Sequence, residues 1–126
     1  MAAYERAVEL EPNDLWLKGD LALVYAAAGK RARAQQILEE DEEKARREDV
    51  TPIALALAHM AVGDLDGTFA WLDKVYEEHH PELIWMNRQP RYDRLRGDPR
   101  WHELMRKIGF TEAQIAAANA LAGKHG

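Results

Sequence analysis

The chain contains neither cysteine nor serine. Without cysteine there are no disulfides, no thiolate metal sites and no cysteine nucleophile. Without serine a Ser–His–Asp triad is impossible. A Gly-rich phosphate loop and an HExxH pair are also missing, and the many carboxylates lie on polar helix faces, so no enzymatic site and no cofactor are expected. No apolar run approaches the roughly 20 residues that span a bilayer. The opening Met1-Ala2-Ala3-Tyr4-Glu5-Arg6 has no signal-peptide hydrophobic region, so a cytoplasmic chain with no membrane partner is expected. Cationic excess is lacking too: the formal charge is −5, which argues against nucleic acid, since phosphate binding needs a positive surface.

What the chain does have is alanine, leucine, glutamate and arginine in quantity, with few β-branched residues. That composition belongs to an all-helical protein. Its 126 residues are the length of one domain, enough to bury a core if the helices stack.

Hydrophobic spacing and punctuation divide the chain. Ala3, Tyr4, Ala7, Val8 and Leu10 make one helical face, ended by Glu11-Pro12, because the residue before proline is pushed away from helical dihedrals. Asn13 or Asp14 can cap a second helix, from Leu15 to Ala28, which Gly29 stops. A partner helix follows from Lys30 to Arg47. Thr51-Pro52 reads as N-cap and first position of a helix to Val62, stopped by Gly63. The next helix, Asp66 to Glu78, has Phe69, Trp71, Leu72, Val75 and Tyr76 as buried candidates. Further on, Pro90 and Pro99 mark short helical starts, with Asp98 as N-cap of a helix to Lys107. Thr111 with Gln114 has the form of a capping box for a last helix to Leu121.

Gly29 and Gly63 lie 34 residues apart, and so do Leu21 and Leu55, Ala22 and Ala56, Tyr25 and His59, and Leu38 and Leu72. Tyr4, Ala7 and Pro12 fall in register one period earlier. Such a period marks a helix–turn–helix repeat array. The residues Lys18-x₂-Leu21-Ala22-x₂-Tyr25 with Ala34-x₃-Leu38, and Pro52-x₂-Leu55-Ala56-x₂-His59 with Thr68-x₃-Leu72, resemble the tetratricopeptide repeat family. Lys18, Asp41, Pro52, His59 and Thr68 depart from its usual residues. The resemblance implies an all-α, right-handed α-solenoid: a half repeat over 1–12, repeats over 13–48 and 49–80, and a C-terminal helical cap over 81–126, all in one domain. The tail, RYDRLRGDPRWHELMRKIGF, is similar to the end of such arrays in bacterial multidomain signalling proteins.

In that family the concave face binds a partner segment. Carried onto this chain, the face becomes Trp16, Gly19, Leu23, Ala26 and Ala27, then Val50, Ile53, Leu57, Met60 and Ala61. Gly19, Leu23 and Ala54 stand where a carboxylate clamp would need polar groups. A groove this apolar is expected to be covered, since large apolar patches are uncommon on monomers. The resemblance thus implies a protein-interaction or scaffold module, with Trp16, Leu23, Val50, Ile53, Leu57 and Met60 as the partner-binding groove. The alternatives are a homo-oligomerisation module and, more weakly, a sensor for a small apolar ligand. Because the chain opens in the second helix of a repeat, Tyr4, Ala7 and Val8 lack their usual neighbour; the expectation is a homodimer through them or, alternatively, a missing helix supplied by a longer parent protein.

Other clusters have plainer readings. His79 and His80 are adjacent, so on a helix they point about 100° apart, unlike ligand pairs at i and i+4, and no metal site is expected. His59 reads as a packed core residue. The run Glu39-Glu40-Asp41-Glu42-Glu43 reads as a solvated helix end with the pairs Glu40–Lys44, Glu42–Arg46 and Glu43–Arg47. The basic tail, Arg88 to Lys107, carries Tyr92 and Trp101, which are expected to anchor the cap rather than stack on bases.

Overall fold

The computed structural model describes residues 2–11, 14–48, 50–81 and 83–125, and every regular element among them is helical. These are α1 (Ala2–Leu10), α2 (Leu15–Ala27), α3 (Arg31–Arg47), α4 (Pro52–Ala61), α5 (Leu65–Glu77), α6 (Leu83–Met86), a 3₁₀ turn (Pro90–Leu95), α7 (Pro99–Ile108) and α8 (Glu112–His125). The all-α expectation therefore holds, and the bounds of α1 to α5 and α7 fall within a residue or two of those read from the sequence, while α8 runs four residues past the expected Leu121 and α6 was not expected. Pro12 and Asn13, assigned a repeat position and a capping role, lie outside the described residues. Two compact units result, Met1–Lys74 and Val75–Gly126, with the division inside α5.

In the first unit α2, α3 and α4 pack on one another, and α1 lies along α2. Leu21, Ala22, Tyr25, Ala34, Ile37 and Ala61 form its core, with Val8, Leu23, Ala26 and Val62 packed around them. Ala22, Ala34 and Ala56 are wholly enclosed; side chains this small let helix axes approach to roughly 8–10 Å. Close approach also explains Gly19: a Cβ there would stand 2.9 Å from Leu57 Cδ1, so α2 and α4 meet through it.

The period is present in the hydrogen bonds as well as in the residues. At the end of α2, Gly29 N–H donates to Ala26 C=O and Lys30 N–H to Tyr25 C=O. At the end of α4, Gly63 donates to Met60 and Asp64 to His59. This is the Schellman closure, in which the C′ residue takes a left-handed conformation that glycine adopts without Cβ strain. Gly29 and Gly63 have φ of 79° and 82°. The helices that follow begin alike, with Ala34 N–H donating to Lys30 C=O and Thr68 N–H to Asp64 C=O.

The second unit has a different logic. Asp98 caps α7 by accepting from Arg100 N–H at 2.9 Å, and Arg100 holds its carboxyl below the usual range. Thr111 and Gln114 form the expected capping box: Thr111 N–H donates to Gln114 Oε1 at 2.8 Å, and Gln114 N–H to Thr111 Oγ1 at 3.1 Å. Tyr92 and Trp101 are enclosed and stack with centroids 5.3 Å apart. Over Trp101 sits the Arg96 guanidinium, 5.5 Å from the ring. It donates to Asp93 at 2.9 Å, to the Asn87 carbonyl at 2.7 Å and to the Gln89 carbonyl at 3.1 Å. One side chain thus ties the end of α6 and the 3₁₀ turn to the aromatic pair.

Candidate functional site

The expected groove residues divide by exposure. Ile53, Leu57 and Met60 have no exposed surface; Trp16, Leu23 and Val50 are half-buried. Leu57 is used up against Gly19. Of the expected self-association residues, Tyr4 is 38% exposed, Ala7 is half-buried, and Val8 packs against the core cluster. Beside Val8 lies a small cavity of about 190 Å³ shared with Lys18, Tyr25 and Arg33. Tyr25 donates its hydroxyl proton to Glu5 at 2.9 Å, and burial, reinforced by that carboxylate, raises its pKa.

A second opening of this unit lies elsewhere. A cavity of about 380 Å³ is lined by Glu42, Ala45, Arg46, Leu55, His59 and Trp71. Helical spacing assembles it: Glu42, Ala45 and Arg46 stand at i, i+3 and i+4 on α3, and Leu55 and His59 at i and i+4 on α4, so each set shares a face. Trp71 supplies the third wall from α5. Leu55, Ala45 and the indole make an apolar floor, while Glu42, Arg46 and His59 make a polar rim.

His59 joins the helices around this cleft. Its Nδ1 lies 3.1 Å from Asp64 Oδ2 and its Nε2 3.7 Å from Glu42 Oε1. Asp64 precedes α5 and also accepts from Gly67 N–H at 3.0 Å. That backbone N–H is the main cause of its lowered pKa, with His59 adding to it. Glycine at 67 is required by this arrangement, since a Cβ would come within 2.5 Å of His59 Nδ1. Sequence spacing suggested a core role for His59; in the structure it is a half-buried link with one face on the cleft.

The acidic run of α3 is less solvated than it reads. Glu43–Arg47 forms at 3.8 Å, but Arg46 also reaches Glu43 and Lys44 pairs with Glu48 at 3.4 Å. Glu40 crosses to Lys18 of α2 at 3.0 Å. Asp41 is fully buried, with Lys18 Nζ 3.6 Å away and no hydrogen bond to either oxygen. Burial pushes its carboxyl up to about 6, with Lys18 opposing.

In the tail, His80 Nε2 lies 2.9 Å from Glu78, and no group of His, Asp or Glu suited to a metal ion occurs among the described residues. Enclosure of Tyr92 and Trp101 leaves neither ring open to a base. No helix among the described residues is long and apolar enough to cross a membrane. Comparison with known protein families, curated proteins and solved structures gives no match to this chain.

The cleft was missed in the sequence because its parts had separate explanations. Glu42 and Arg46 looked like a solvated pair, Trp71 like core and His59 like packing. The available signal was a polar residue at an aromatic repeat position, one period after Tyr25, facing a helix with an alanine between charges.

Proposed function

We propose that this chain is a protein-interaction module built as a short right-handed array of tetratricopeptide-like repeats, acting in the cytoplasm within a scaffold or signalling assembly. The observation that carries this reading is the 34-residue recurrence of Leu21, Ala22 and Leu38 at Leu55, Ala56 and Leu72, with the same helix closure at Gly29 and Gly63. Stacked helix pairs of this kind present extended faces and use them to hold other proteins. Enclosure of Ile53, Leu57 and Met60 supports a packing role for them, spacing the helices that carry the accessible surface. The cleft of Glu42, Ala45, Arg46, Leu55, His59 and Trp71 then receives the partner: an apolar floor with a charged rim is the usual composition of a recognition pocket.

A photo-crosslinking residue at Arg46, on the rim, tests this reading in cells, with one at Arg6 on α1 as control. Discrete protein adducts are expected at Arg46 and should vanish when Ala45→Arg fills the cleft. Equal adducts at both positions, or adducts indifferent to Ala45→Arg, would rule out the cleft.

A further inference from the structure

The second unit exposes an apolar pair that its own packing does not use. Ile84 and Trp85 on α6 are 65% and 66% exposed, while their neighbours Leu83 and Met86 are buried. Arg88 follows, exposed, its N–H donating to Trp85 C=O at 3.3 Å. The turn therefore carries an indole, a branched aliphatic side chain and a cation close together. We propose that this knob of one copy seats in the cleft of a second copy, Trp85 and Ile84 against Leu55, Ala45 and Trp71, and Arg88 against Glu42. The proposal rests on the cleft being a binding surface, and it names the occupant.

Charge selects that occupant. Two knobs placed face to face would set Arg88 against Arg88, whereas the cleft offers the Glu42 carboxylate, with Glu39 exposed on the same helix and the Arg46 cation of the rim paired with Glu43. Opposite charges at the rim favour the pairing and suppress the like-with-like alternative. Size agrees: a cavity of about 380 Å³ falls in the range of pockets that hold a drug-sized body, more than one indole. Exposed apolar residues beside a matched cation are recognition features rather than ordinary surface. A contact between different patches of identical chains is heterologous, so it closes into a ring or continues head to tail.

Sedimentation equilibrium of the intact chain over a concentration series tests the proposal. The wild-type mass should rise with concentration. Trp85→Ala and Ala45→Arg should each remain monomeric with unchanged helical circular dichroism. Arg88→Glu should weaken association at least tenfold, and adding Glu42→Arg should restore most of it. The decisive sample is a mixture of Trp85→Ala, with its cleft intact, and Ala45→Arg, with its knob intact: each is monomeric alone, and together they should form a one-to-one pair. A monomeric wild type, or a mixture that does not pair, overturns the proposal. So does self-association that survives Trp85→Ala, which would place the contact elsewhere, as at Tyr4 and Val8. Binding of the monomer to phosphatidylserine vesicles, lost in Trp85→Ala, would make the knob a lipid contact and equally overturn it. If the chain is monomeric while Ala45→Arg still removes the cellular adducts, the cleft stands and only its occupant is wrong.

Discussion

The two units solve the same problem, holding short helices together, by different means. In residues 14–74 the solution is repetition: alanines and leucines recur at one interval. In the second unit it is concentration, with Arg96 joining Asp93, two backbone carbonyls and the Trp101 face at one point. Repetition spreads the interaction energy over many small contacts. A polar pin makes it local.

The sharpest way to break this contrast is to overfill the repeated contact. Ala22→Trp or Ala56→Trp should destabilise the first unit by about 3 kcal/mol or more, the upper end for overpacking, because both sites lack any free space. Hydrogen exchange should quicken across α2, α3 and α4 and stay unchanged in α7. Next in size, Arg96→Ala should cost about 2–3 kcal/mol, since it strands buried carbonyls and removes a half-screened ion pair. Its exchange footprint should be the mirror image, confined to the Asn87–Ala118 region. Overlapping footprints would show that the two units are one cooperative body.

A third test concerns Asp41, a fully buried carboxyl of the first unit. Asp41 is protonated more readily folded, near 6, than unfolded, near 3.9. The folded state therefore binds the extra proton, and this group's favourable contribution is full below about pH 4 and is lost as pH rises to about 6. Compared with Asp41→Asn, the wild type should lose on the order of 2 kcal/mol between those limits. Parallel stability curves for the two proteins would contradict the assignment.

The smallest effects lie at the helix ends. Gly29→Ala and Gly63→Ala should each cost about 1 kcal/mol, because both sit at positive φ. The second unit has the counterpart: at His79, φ 54°, α5 closes with the same bonds, His79 N–H donating to Tyr76 C=O and His80 N–H to Val75 C=O. His79→Gly should therefore stabilise by about 1 kcal/mol. Thermal midpoints suffice to read all three signs.

Most of the architecture was legible because punctuation and period agreed. Gly29, Gly63, Pro52, Asp98 and the Thr111–Gln114 pair each mark a boundary through local backbone chemistry, which needs no knowledge of the tertiary fold. α6 was not legible: four residues between Pro81 and the turn at Asn87 are too few to show a period. Family positions place Ile53 and Leu57 on a groove, yet whether a residue on a helix face meets water or another helix is settled by tertiary packing. The cleft depends on three helices converging on His59, and its signal was spread over thirty residues of sequence.

The recurrence of the Gly29 turn at Gly63 also gives this chain a natural increment of growth. Residue 30 follows one glycine as residue 64 follows the other, with the same closing bonds before the joint, though Asp64 caps the next helix with its side chain and Lys30 does not. A segment cut from Lys30 through Gly63 and spliced in after Gly63 would keep both glycine closures and lose only the Asp64 side-chain cap at the new joint, whereas an insertion that is not a multiple of that length would move every later small residue out of register.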